Sequence, residues 1–409
     1  MLLGLSGTEA RVLPEYQNEP TPFESFSSLI TDVSGIQTLR VLIFPHFGTY
    51  AIPQGREETA KQVQITTSGV CEAHEAVLSP IEDWEPGSLI SAPAPVINLT
   101  SGDGATIYYS CTAPFTIHRK APLKSFEYSG DFVALITPDQ VRVVNIVDPE
   151  TYLKGVIPSE VEASWPTEVL RAQAIAARTY EWFSVLNGRG KRLPYDLDDT
   201  VASQAYLGNS KRSSMSDSAA DDTHTQVMTF SGKIIKAYFS ADSGGFTAAA
   251  EEIFQALPYC QAKPERYDPS LYPQSVWSQA FAPGDIQDKL FKAKLLPESV
   301  GIKELSIEPK NVSASGRALT VTILGTDLKT YAILGRDFRL ALHLRSTLID
   351  KIENKSGFII HGRGFGHGVG MAQEGALQYS KQLQWNHEQI LRFYYEGIEI
   401  TQVNGGFLP

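Results

Sequence analysis

The sequence predicts an α+β protein, with a β-rich N-terminal domain followed by a mixed domain. Three observations point there. Short runs rich in Val, Ile, Thr and Tyr crowd residues 37–148 and are separated by Gly, Pro, Asp and Ser, the mark of antiparallel strands with turns. Apolar residues spaced by three and four then announce one long helix beginning near Pro166. Finally, between residues 361 and 370 every second position is glycine.

Size and charge narrow the field before any motif is read. A chain of 409 residues is long for one compact core and suits two domains or one elaborated domain; the pattern divides it at 37–148 and 149–409 after a tail or linker at 1–36. The 42% hydrophobic content is ample for such cores. Lys and Arg number 35 against 46 acids, a net charge of −11 with no basic run to offset it, which argues against nucleic acid or an anionic membrane surface as partner. No stretch reaches the roughly 20 apolar residues of a transmembrane helix. The opening MLLGLSGTEA lacks the basic start of a signal peptide, so an export signal is not visible. Cys71, Cys111 and Cys260 are widely separated; they permit at most one disulfide and have no zinc-site spacing.

Along the chain, strands are expected at 39–44, 61–70, 105–111, 132–138 and 141–147. His46, His74 and His118 fall singly among them and read as structural. The stretch 152–182 then reads as an extended segment, a tight polar corner at Pro158-Ser159-Glu160, and the helix. Proline suits a first helical turn because its missing N–H would have no partner there. Ala172, Ala174, Ala176 and Ala177 give the helix a thin wall against which another backbone can lie. Arg171 and Arg178 share a face, and Glu160 is presented on irregular chain, where functional carboxylates are common.

Asp196, Asp198 and Asp199 alternate as in a calcium loop, but the glycine and closing glutamate of that loop are missing. The segment reads as a loop ordered by hydrogen bonds, with Gln204 and Tyr206 facing a groove or the core. Residues 232–247 are a strand entering a turn at Asp242-Ser243-Gly244-Gly245. Residues 255–300 look irregular, with Tyr267, Tyr272 and Trp277 as aromatics for sugar faces or for packing. Strands resume from 302 to 349. The alternating glycines of 361–370 fit neither a P-loop nor a dinucleotide fingerprint. They read as a strand with one bare face, lying on the alanine wall of helix 166–183 and projecting His361, Arg363, Phe365 and His367 from the other. Helices follow at 371–380 and 387–395.

Four of these stretches together resemble the SpoIID/LytB family, over residues from about 140 to 400. They are YLKGVIPSEVEASWPTEVLRAQAIAARTYEW (152–182), AYFSADSGGFT (237–247), SGRALTVTILG with ILGRDFRLALHLRSTL (315–348), and HGRGFGHGVGMAQEGA (361–376). The resemblance implies a SpoIID-type domain with a substrate groove, acting on peptidoglycan glycan strands as a lytic transglycosylase whose acid matches Glu160. Substrate-binding roles are expected for Ser159, Arg178, Tyr238, Ser243, His361, Arg363, His367 and Gln373. One carboxyl suffices for this chemistry, because the sugar's own 6-hydroxyl replaces the second carboxylate of ordinary glycosidases. Glu162 and Glu168 are the acids able to furnish a second carboxylate for true hydrolysis. Some family members hold zinc near residue 200; here Val201, Ala202, Ser203 and Gln204 offer no thiolate, and neither metal nor cofactor is expected. LytB-type relatives imply a different role, a non-catalytic enhancer with a cell-wall amidase as partner; a structural wall protein is a third. Each implies the cell envelope as location.

Overall fold

The computed structural model describes residues 38–43, 61–78, 84–119, 124–188, 194–266 and 273–403. The tail 1–36, His46, Tyr267 and Tyr272 lie outside them. Both strands and helices are present in number, as an α+β chain requires. The described chain divides into two compact units, one of residues 38–237, 386–388 and 398–403, the other of 238–385 and 389–397.

The first unit is built on a nine-stranded sheet. Its strands are β1 (Leu39–Ile43), β2 (Gln62–Leu78), β3 (Trp84–Thr100), β4 (Ala105–Cys111), β5 (Phe115–Arg119), β6 (Lys124–Tyr128), β7 (Asp131–Ile136) and β8 (Val141–Val147), with a short β9 (Leu197–Asp198) closing the edge. The order is β6-β5-β2-β4-β7-β8-β1-β9, with β3 paired to β2. All five strands expected from composition are present. Cys71 and Cys111 face each other across β2 and β4 and form a disulfide, leaving Cys260 as a buried thiol.

Residues 149–160 depart from expectation: the segment read as extended is helix α1 (Pro149–Glu160). Asp148 caps it by accepting the Thr151 N–H at 2.8 Å, and Pro149 occupies the first turn where its missing donor costs nothing. Pro158 falls in the last turn, so it bends no long helix. The expected break at 148/149 lies inside this unit, because Tyr206 from beyond the helices packs on both Tyr128 of β6 and Tyr152 of α1. Helix α2 (Thr167–Gly188) follows as predicted. Its alanine wall is buried by α1, by α3 (Ser214–Asp222) and by β10 (Gln226–Phe230), which pairs with β11 (Lys233–Ile234).

The second unit starts with β12 (Phe239–Ser240). Residues 255–300 are more regular than expected, holding β13 (Val276–Phe281) and α4 (Pro283–Lys292). Then come β14 (Ile302–Ser306), β15 (Thr320–Gly325), β16 (Thr330–Leu334), α5 (Gly335–Leu342), β17 (Ile349–Asn354) and β18 (Phe358–Arg363). Two three-stranded sheets, β13-β18-β17 and β14-β15-β16, enclose a core that includes Ile286, Leu290, Val321, Phe338 and Ile360. Past the glycines, β19 (Met371–Ala372) pairs in parallel with β12, and α6 (Gln373–Leu383) and α7 (His387–Tyr394) follow. The last strand, β20 (Glu399–Gln402), belongs again to the first unit and pairs there with β10.

Candidate functional site

Glu160 is the last residue of α1 and is half-buried. Tyr152, Gly155 and Ser159 fall on one face of that helix, at steps of three and four, and Glu160 follows at its end. The strap 204–208 lies along this face. Gln204 Nε2 donates to the Tyr152 hydroxyl at 3.5 Å, and the Tyr206 ring stands 4.6 Å from that of Tyr152. A Cβ at Gly155 would meet Gly208 O at 2.6 Å and the Tyr206 ring at 2.7 Å, so glycine lets strap and helix touch. At the end of the face the Ala205 N–H donates to Glu160 Oε1 at 2.5 Å. The strap is itself ordered by Asp198, whose carboxylate accepts from the Thr200 N–H, the Thr200 hydroxyl and the Ser203 hydroxyl. Gln204 and Tyr206 are in the core rather than exposed, at 0% and 1%.

Two residues expected to bind substrate, Ser159 and Arg178, make bonds within the scaffold. Ser159 donates its hydroxyl to Gly155 O at 2.8 Å, a bond back into its own helix. Arg178 was expected to hold sugar, but it is 1% exposed and all five of its donors are engaged: by Glu150 twice, Thr223, Gln226 O and Ala220 O. It ties α1, α2 and α3 together. Glu168 is similarly committed. Burial would raise its pKa, but bonds from the His387 N–H, the His387 ring and Arg171 bring it below the ordinary carboxylate value. Glu181, on α2, is fully buried and neither oxygen has a hydrogen-bond partner among the described residues. Burial pushes its pKa well up; Glu150, Asp148 and Asp196 add to this, and Arg178 opposes it. The carboxyl therefore holds its proton more tightly than an exposed glutamate does.

The remaining expected residues all belong to the second unit and surround the glycine stretch. Its conformation corrects the prediction. Only Phe358–Arg363 is strand; Gly364, Gly366, Gly368 and Gly370 have φ of 82°, 104°, 77° and 70°, a left-handed region closed to most side chains. Added Cβ atoms would strike Asp242 O, the Ser240 side chain, Arg317 and Tyr238 O. The bare face thus serves close packing on the unit's own 238–245 turn and Arg317, where packing on the alanine wall of α2 was expected.

Within that turn Ser243 is 0% exposed: its hydroxyl donates to Glu265, accepts the Gly245 N–H, and its carbonyl accepts from Arg317. It is a strut, where a groove wall was expected. Arg317 is fully buried, and burial lowers its pKa to about 10. Tyr238 is buried and stacks on Phe254 at 4.4 Å; Gln373, the first residue of α6, is buried as well. His361 and Arg363 project from the same side of β18. His361 Nε2 lies 3.5 Å from Glu353, and Arg363 forks onto Asp350 at 3.0 Å while donating to Gly244 O. His367 is half-buried, edge-on to Tyr238 and Phe254 at 5.6 and 5.2 Å. The Val369 N–H donates to its Nδ1 at 3.0 Å, so the neutral ring carries its proton on Nε2. Sequence reasoning missed the Ala205 amide, which has no side-chain signal, and Arg317, which lies in the family stretch SGRALTVTILG but was given no role there.

Comparison with known proteins now adds to this geometry. A family model described as stage II sporulation protein matches residues 137–230, the segment that spans α1, α2 and the strap. A second model, a domain of unknown function, matches residues 276–370. An uncharacterized protein of Brachyspira hyodysenteriae is 35% identical over 298 residues, 69% of this chain and 74% of that protein. Stage II sporulation protein D of Bacillus amyloliquefaciens is 31% identical over 269 residues, 62% and 74% of the two chains. The amidase enhancer of Bacillus subtilis is 28% identical over 299 residues, 61% of this chain but 40% of its own length.

Proposed function

This chain belongs to the SpoIID/LytB family, and from that premise we propose that it cleaves the glycan strands of peptidoglycan by lytic transglycosylation, with Glu160 as the acid. The observation that carries the reading is the placing of Glu160. It stands at the end of α1, within the segment matched by the family model, one oxygen held by the Ala205 amide. In this reading the Glu160 carboxyl gives a proton to the glycosidic oxygen. The C1–O bond breaks, the 6-hydroxyl of the same muramic acid attacks C1, and its proton passes to the carboxylate. The product is a 1,6-anhydro ring, and no water, metal or second carboxylate is consumed. The relatives' names support a cell-wall role, and the Cys71–Cys111 disulfide agrees with a location outside the reducing cytosol.

The test is digestion of purified sacculi, with products read by mass spectrometry. We expect 1,6-anhydro ends from the native protein and none from Glu160→Gln, which should melt normally. A fully active Glu160→Gln would sink the assignment; reducing ends would mean hydrolysis through a further carboxylate. A second reading, glycan binding that enhances an amidase, is favoured by the relative of that name. It predicts that Glu160→Gln still stimulates amidase release of peptides from sacculi.

A further inference from the structure

Phe365 is the one residue of the glycine stretch whose large apolar side chain is exposed, at 37%. Much of the local structure fixes how it is presented. Its N–H and C=O exchange hydrogen bonds with Asp242, at 2.8 and 2.9 Å. Glycines with φ of 82° and 104° flank it, and a Cβ on the second would meet Ser240 at 2.6 Å, so the backbone is locked on both sides. Arg345 lies beside it: the guanidinium carbon is 5.0 Å from the ring centroid, and Arg345 O accepts the Gly366 N–H at 2.8 Å. Arg363 nearby is committed to Asp350, and Arg317 to main-chain carbonyls. Arg345, half-buried, has no ion pair or hydrogen bond from its guanidinium among the described residues. Closely packed glycine backbone thus presents one exposed aromatic beside a guanidinium that has no polar partner among the described residues, an arrangement with no packing purpose of its own.

We propose that Phe365 and Arg345 form a subsite for a carboxylate-bearing pyranose of the glycan. This deepens the glycan-cleaving reading above and rests on it. A pyranose offers a flat face of C–H groups, which an exposed aromatic ring accepts, and a carboxylate beside the ring matches the planar fork of arginine. Cation–π contact holds that fork beside the ring. In wall glycan the carboxylate has two sources, the lactyl group of a naked muramic acid or the acidic groups of a stem peptide.

Calorimetric titration distinguishes these, with Glu160→Gln as background so that nothing is cut. Three soluble probes are needed: a neutral N-acetylglucosamine tetramer, an alternating N-acetylglucosamine–N-acetylmuramic acid tetramer with free lactyl groups, and the same tetramer bearing stem peptides. Phe365→Ala should weaken binding of all three by about tenfold, the scale of one stacking contact, while Phe365→Trp keeps it. Arg345→Met should weaken only the carboxylate-bearing probes, also by about tenfold. Loss confined to the lactyl probe assigns the carboxylate to muramic acid; loss confined to the peptide probe assigns it to the stem. Unchanged binding by Phe365→Ala, with melting unchanged, overturns the subsite and leaves the cleavage reading intact. Equal loss of the neutral probe on Arg345→Met overturns the carboxylate assignment. If the parent binds none of the probes and the native protein leaves sacculi whole, the glycan reading itself fails.

Discussion

The surroundings of Glu160 and those of His367 are held by different means. Around Glu160 the chain is regular helix, and side chains fix it: Tyr152 against Tyr206, Gln204 on Tyr152, Arg178 on Glu150. Around His367 regular structure stops at Arg363, and the backbone itself is the scaffold, with left-handed glycines locked onto the 238–245 turn. The contrast teaches where each region can tolerate change. A helix-borne site loses its support residue by residue as packing is cut away. A glycine-built site fails at once when a single Cβ is added, because φ and space are both violated.

The sharpest way to break that comparison is Gly370→Ala. Its φ is 70° and the added Cβ would stand 1.9 Å from Tyr238 O, a backbone atom with little freedom to move. Clash and left-handed strain together should cost about 4 kcal/mol or more, read as a large fall in the urea midpoint. Gly245→Ala is the matched control: φ is 93°, but no atom lies within 4 Å of the new Cβ, so only strain of about 1 kcal/mol remains. Equal losses would mean that close packing adds nothing, and the contrast between the regions would collapse.

On the helix side the corresponding test is Glu181→Gln. The carboxyl is buried and its folded pKa is raised above the ordinary 4.5. Above about pH 4.5 the unfolded chain gives up this proton while the folded chain keeps it, so the folded state binds more protons and stability falls as pH rises. The slope is at most about 1.4 kcal/mol per pH unit, and below the unfolded pKa the penalty is absent. Glutamine removes the titration. Its gain in melting temperature over wild type should therefore be small at pH 4 and grow steadily to pH 8. Parallel melting curves across that range would show that Glu181 stays charged and has found a partner.

What the sequence made legible follows the same division. The strands, helix α2 and the family signature could be read because each depends on local pattern. Helix α1 was hidden because Gly155 and Pro158 look like breakers, although one allows contact with Tyr206 and the other lies in the last turn. The architectural role of Arg178 depends on Glu150, 28 residues upstream, which spacing along its own helix cannot reveal. The glycine stretch was misread for a deeper reason. Alternation at period two describes an extended strand and a run of left-handed glycines equally well, and only the sign of φ separates them.

His367 gives the finest discrimination, since one edge of its ring braces the scaffold while the glycan-cleaving reading asks a second role of the other. Nδ1 accepts the Val369 N–H, and Val369 is fully buried, so removing the ring strands a donor. His367→Ala should therefore cost about 1–3 kcal/mol, more than an ordinary surface change. Asparagine places its side-chain oxygen near the Nδ1 position and can take the same N–H. His367→Asn should stay within about 0.5 kcal/mol of wild type in the melt. The two variants part company on glycan cleavage only if the far edge matters. Should Nε2–H contact the glycan, His367→Asn loses activity as fully as His367→Ala while remaining stable. If His367→Asn instead keeps the native cleavage rate, the ring is a brace for Val369, and the polar work of the second unit lies with other side chains.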